Sequence, residues 1–139
     1  MTATLTTPDA VLDAAADYFA ADPDRWGRDA FIDRETHCRC AMGGIAYVID
    51  PDDYDANPTQ MRNWGKTELG RQCVLQLSNY LVDYYGVEPH IDDNVVTIVS
   101  DWNDERGRSA SDVVMLLRAT AADYRKRQAE RAARERGAA

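Results

Sequence analysis

The chain has 139 residues, 45% of them hydrophobic, which is long enough for one core and too apolar for disorder. No run approaches the roughly 18 apolar residues of a membrane-spanning helix, so no membrane role is expected. The formal net charge of −8 is segregated, with six basic and three acidic side chains in residues 122–139 and −11 left on residues 1–121, and an acidic body weighs against nucleic acid as a partner because it repels the phosphate backbone.

The first element is a helix over 7–21. Thr7 is placed to cap it, Pro8 suits its first turn, and Val11, Ala15, Tyr18 and Phe19 recur at helical spacing. Asp9, Asp13 and Asp17 line another face at i, i+4. They read as a solvated face or as a negative ridge turned toward a basic partner. Ala21-Asp22-Pro23-Asp24 ends the helix, and Trp26 and Phe31 anchor a polar stretch to the core. A short second helix is expected over 40–49, stopped at Pro51, followed by a turn-rich connection over 51–66.

Thr67 caps a third helix over 68–85, with Leu69, Cys73, Leu77, Leu81 and Tyr84 as its stripe and Gly86 as its stop. The stretch Val95-Val96-Thr97-Ile98-Val99 has the β-branched content of a strand. Val95, Ile98, Val99 and Trp102 nonetheless fit helical spacing, with Asp92 or Asp93 as cap, and a lone strand would lack a partner; helix is the expectation over 92–102. The last helix starts near Ser109 with Asp112 at capping-box spacing, and Val113, Leu116, Leu117, Ala121 and Tyr124 form its apolar face. Beyond Tyr124 no apolar stripe remains. These elements predict an all-α, compact single-domain bundle of about five helices over 1–124. Residues 125–139 follow as a basic, Ala- and Arg-rich helical extension or frayed tail. The core should centre on Leu12, Ala15, Phe19, Ile45, Val48, Leu77, Leu81, Val95, Val99, Trp102, Val113, Leu116 and Leu117.

Two short motifs mix residues that a plain helical core would not choose: Cys38-Arg39-Cys40-Ala41-Met42-Gly43-Gly44-Ile45 and Asp101-Trp102-Asn103-Asp104. His37, Cys38 and Cys40, with Cys73 or His90, are zinc-type ligands at a spacing that suits zinc poorly, so no metal and no cofactor is expected. Cys40 opens a helix, where a thiol pKa can fall. With His90 and then Asp92, Asp93 or Asn94 downstream, Cys40 and His90 are the catalytic candidates, but the hydrolases that use this order need a sheet. Gly43 and Gly44 inside a helix point to close approach by another element, with Trp26 or Trp102 as the ring that approaches. Trp102 should close an apolar stripe while Asn103 and Asp104 turn the chain, with Arg106 and Arg108 pairing to Asp101 or Asp104. Trp26, Cys40, Gly43, Trp102, Asn103 and Asp104 together make the candidate binding site. Asp9, Asp13 and Asp17 make the candidate partner surface. The three cysteines do not suit a disulfide framework. The start Met1-Thr2-Ala3-Thr4-Leu5 lacks the basic and apolar regions of a secretory signal, so a cytoplasmic protein is expected.

The segments Val11-Leu12-Asp13-Ala14-Ala15-Ala16, Trp26, Cys40-Ala41-Met42-Gly43-Gly44-Ile45, Trp102-Asn103-Asp104 and Val113-Val114-Met115-Leu116-Leu117-Arg118 together resemble the DUF6197 family, small proteins of actinobacteria and their phages. The resemblance spans about residues 8–122, and Gly44 stands where the family pattern has Ala. It implies a compact α-helical domain, a phage or actinobacterial source and, for a phage-encoded chain, the host cytoplasm; it implies no activity. The function expected is that of a non-enzymatic acidic interaction protein, a phage accessory factor that engages a host protein through the acidic face or the 51–66 connection. The alternative is a small-molecule or metal-binding protein, cysteine-dependent if enzymatic, with its site around Cys40 and Trp102–Asp104. Oligomeric state is not legible in the chain.

Overall fold

Helix α1, Pro8–Ala21, is the hub of the fold, because its buried face of Val11, Leu12, Ala15, Ala16 and Phe19 touches three other helices. In this computed structural model, which describes residues 5–29, 32–33, 35–51, 68–89 and 94–137, the other helices are α2 (Ala41–Ile49), α3 (Glu68–Tyr84), α4 (Val95–Asp104) and α5 (Ala110–Gly137). A single turn of 3-10 helix, Pro23–Arg25, follows α1. Among the described residues there is no strand, only two isolated bridges at Trp26–Arg39 and Ile32–Arg39. The fold is all-α, and Val95–Val99 is helical. Its β-branched side chains are overridden by the burial of Ile98, Val99 and Trp102 on one face.

The helix ends show which local signals held. Pro8 occupies the first turn of α1 and Thr7 its N-cap position, but the Thr7 side chain makes no capping bond. The cap of α4 is Asn94, whose Oδ1 accepts from Thr97 N at 3.0 Å; Asp92 and Asp93, named above for this job, lie outside the described residues. Ser109 and Asp112 form a reciprocal capping box at the start of α5. Ser109 N donates to Asp112 Oδ2 (2.9 Å) and Asp112 N to Ser109 Oγ (3.2 Å). At the end of α3 the chain turns at Gly86, whose φ of 70° suits glycine. Phe31, Thr67, His90 and residues 52–66 of the 51–66 connection also lie outside the described residues.

The core contains the expected Leu12, Ala15, Phe19, Ile45, Leu77, Leu81, Val99, Trp102, Val113, Leu116 and Leu117, with Val48 and Val95 half-buried at its edge. Over the described residues it is one continuous cluster. The ring that approaches Gly44 is Phe19: a Cβ there would lie 2.5 Å from Phe19 Cε2 and 2.6 Å from Cζ. The reason lies in the crossing of α1 over α2, which sets the wholly buried Phe19 ring on the α2 backbone. Beyond Tyr124, α5 continues as an exposed helix to Gly137.

Candidate functional site

The two motifs meet. After the 3-10 turn, residues 38–40 lie alongside residues 25–27. Gly27 N donates to Arg39 O (2.9 Å), Arg39 N to Arg25 O (2.7 Å) and Asp33 N to Cys38 O (2.8 Å). Asp33 Oδ1 closes the tip by accepting from Glu35 N (2.8 Å) and Thr36 N (3.0 Å). Those bonds hold the Asp33 carboxyl below the usual carboxylate range. Gly27 must lack a Cβ, since one would lie 2.7 Å from Cys38 Cβ. This pairing delivers Trp26 and Cys40 together to the C-terminal end of α4.

Asn103, wholly buried there, joins them. Its Oδ1 accepts from Trp26 Nε1 (2.8 Å) and from Ala41 N (3.0 Å), one of the otherwise unpartnered N–H groups at the start of α2. Its Nδ2 donates to Gly27 O (3.2 Å) and Asp104 Oδ1 (3.0 Å), and Asp104 Oδ1 also accepts from Asp29 N (3.0 Å). The amide therefore uses its donor and its acceptor within the chain. Asn103 does more than turn the chain; it ties three segments at one corner.

Cys40 is the N-cap of α2, and its Sγ accepts from Gly43 N at 3.4 Å. Burial pushes the thiol up to about 11. The backbone N–H groups of Gly43 and Met42 pull the other way, and the Asp104 charge adds to the rise. The helix N-terminus thus does not produce a thiolate here, because desolvation outweighs it. Cys73 is likewise pushed up by burial, to about 12. Cys38 Sγ donates to Asp24 O (3.0 Å), away from the cap of α2. Among the described residues no three His, Cys, Asp or Glu side chains are grouped to hold a metal ion. His90, the proposed partner of Cys40, lies outside the described residues.

The Asp9, Asp13 and Asp17 ridge faces α5. Arg125 Nη1 reaches Asp13 Oδ2 (2.8 Å) and Asp9 Oδ2 (3.2 Å), and Arg118 Nη2 reaches Asp17 Oδ1 (2.9 Å). The pairing runs in opposite directions along the two helices, so α1 and α5 are antiparallel. Burial raises the Asp9 carboxyl, but hydrogen bonds from Thr7 and Arg125 and the Arg125 charge outweigh it, and its pKa lies below 3.8. All three carboxylates are thus ion-paired within the chain, with two arginines offsetting two of the three charges.

A cleft missed by sequence reasoning opens on the outer side of Trp102. It has a volume of about 530 Å³, between the turn after α3 (Tyr85, Glu88) and the end of α4 (Asp101, Trp102, and Glu105 just past it), with Arg108 at its edge. The Arg108 guanidinium lies 3.9 Å from the centre of the Trp102 ring, donates through Nε to Trp102 O (2.9 Å) and pairs through Nη2 with Glu105 Oε2 (2.6 Å). Its partner is thus Glu105 rather than the expected Asp101 or Asp104, because the turn at Gly107 (φ 83°) brings the guanidinium back over the indole. Tyr85 meets Trp102 edge-on at 5.9 Å. The available signal was the Tyr84-Tyr85-Gly86 run at a helix end.

A protein-family model, described as a family of unknown function (DUF6197), matches residues 3–123. The chain belongs to this family. The DUF6197 match covers Trp26, Cys40, Asn103 and the cleft, and stops near the point where α5 leaves the bundle. No curated protein and no solved structure matches the chain. The description of DUF6197 names no activity, so what the corner and the cleft can do rests on their own chemistry.

Proposed function

We propose that this chain is a non-enzymatic interaction protein of the cytoplasm, an accessory factor that engages a host protein if it is phage-encoded. The observation that carries this reading is Asn103. The polar atoms that made the Cys40 and Trp102–Asp104 corner a candidate site are bonded to one another and to the backbone. The nearby thiol is buried and its pKa raised. Such a corner holds segments together, which leaves binding to the outer surface. The acidic character of residues 1–121 supports a basic partner, reached from parts of the surface other than the ion-paired Asp9, Asp13 and Asp17 face.

Two measurements test the reading. Alkylation with iodoacetamide at pH 8, followed by peptide mass spectrometry, should modify Cys38 first and leave Cys40 and Cys73 until the chain unfolds. Rapid modification of Cys40 in the folded protein would revive the cysteine-dependent alternative. Affinity capture from host lysate with the full chain as bait should return a specific basic partner. Only background proteins in repeated captures would count against the interaction reading.

A further inference from the structure

We propose that the cleft beside Trp102 docks an arginine or lysine side chain of a basic partner segment. The inference rests on the interaction reading above and gives that partner a chemistry and a place. The cleft volume of about 530 Å³ lies within the range of sites that enclose a small group. Glu88, Asp101 and Glu105 line it against a single cation, Arg108. Arg108 is already paired with Glu105, so Glu88 and Asp101 remain as carboxylates with no ion-pair partner among the described residues.

The cleft already displays how it holds a cation. One guanidinium sits on the face of Trp102, donates to a carbonyl and meets a carboxylate at the wall. A second cation finds the same elements in the open part of the cleft: the ring of Tyr85, which is 44% exposed, and the carboxylates of Glu88 and Asp101. Nothing lies within 4 Å of where a Gly86 side chain would stand, so a peptide backbone can pass beside the turn. The −11 on residues 1–121 draws basic segments toward this surface and repels acidic ones.

The test is fluorescence anisotropy of a fluorescein-labelled Ala-Arg-Ala-Arg-Ala-Arg-Ala peptide, titrated with the full chain at about 50 mM salt, where surface charge is little screened. The Arg peptide should bind, and the same peptide with Gln for Arg should not. A double variant, Glu88→Gln with Asp101→Asn, should weaken binding about tenfold, and Tyr85→Leu about threefold. The control variant Glu130→Gln with Glu135→Gln removes as much charge elsewhere and should change binding less than about twofold. All three sets alter exposed side chains, and shared melting temperatures establish that each is folded. Equal weakening by the cleft and control variants would overturn the proposal, since the peptide would then sense only overall charge. Mass rising with concentration in light scattering, and lowered by the Arg peptide, would put a second copy's basic α5 extension in the cleft instead of a separate partner and also overturn it. Failure of the Arg peptide to bind, with lysate capture intact, would overturn the cleft and leave the interaction reading standing; failure of both would remove both.

Discussion

Replacing Gly44 by alanine tests the packing of α1 on α2. A helix interior gains about 1 kcal/mol when glycine becomes alanine. At this position the new Cβ would stand 2.5 Å from Phe19 Cε2, whereas carbon atoms rest at roughly 3.5–4.0 Å, so the ring must retreat by about 1 Å. Phe19 is 0% exposed and meets Tyr18 edge-on at 5.2 Å, so its retreat disturbs packed neighbours. Overpacking of this kind costs about 1–3 kcal/mol. The net effect of Gly44→Ala is then a loss of about 1 kcal/mol, or roughly 3–5 °C in Tm for a chain of this size. The assay is urea and thermal unfolding of a four-member cycle: wild type, Gly44→Ala, Phe19→Leu and the double variant. Phe19→Leu alone opens a cavity, but in the Gly44→Ala background it also relieves the clash. The double variant should therefore be more stable than the sum of the singles by about 1–2 kcal/mol. A stabilised Gly44→Ala, or a cycle additive within about 0.3 kcal/mol, would refute the close approach.

Asn103→Ala strands the Trp26 and Ala41 N–H groups and Gly27 O, and should cost about 3 kcal/mol, seen as a Tm fall of roughly 10 °C. Asn103→Asp keeps the acceptor but sets a carboxylate against Gly27 O and Asp104. The ionised form is repelled there, so the deficit relative to wild type should be smallest at low pH and grow as pH rises; a pH-independent deficit would contradict the bonding described. Asp9→Asn should remove about 0.5–1 kcal/mol at neutral pH by breaking the pair with Arg125. Because the folded pKa of Asp9 is depressed, the gap from wild type should be full above the ordinary value of 3.8 and close as pH falls below it; denaturant melts from pH 2 to 7 would show a constant gap if the pair were idle. Ending the chain after Arg127 keeps Arg118 and Arg125 and should leave Tm within about 2 °C, whereas a larger fall would make the far part of α5 a structural element.

Much of the fold was legible because four apolar stripes at helical spacing were present, and burial follows them: Val11, Ala15 and Phe19 in α1, Leu77 and Leu81 in α3, Ile98 and Val99 in α4, Leu116 and Leu117 in α5. Periodicity states which face of a helix is buried, not what lies opposite. That is why the close approach at the glycine pair was legible and Phe19 as its source was not. The acidic spacing of Asp9, Asp13 and Asp17 was equally plain. Its pairing with Arg118 and Arg125 depends on the antiparallel register of α1 and α5, which no local pattern contains. The cleft draws Tyr85 and Glu88 from a turn, Asp101 from α4, Glu105 from just past its end, and Arg108 from the next turn. Residues so scattered have no shared period to read.

The identity of residue 103 links the corner to the cleft. Two donors, Trp26 Nε1 and Ala41 N, and two acceptors, Gly27 O and Asp104 Oδ1, converge on one short side chain. A carboxylate has no donor for the acceptors, and an apolar side chain serves neither set; a short carboxamide serves both. Trp102 is the preceding residue of the same helix, so the bonds that seat Asn103 also fix the azimuth of the indole. Arg108 then binds the Trp102 carbonyl and covers its ring at the edge of the cleft. The corner is therefore a support for the surface beside it. Loosening Asn103 should weaken any ligand of the cleft without altering one group that lines it, and the Asn103→Asp variant, measured where it remains folded, separates that effect from unfolding.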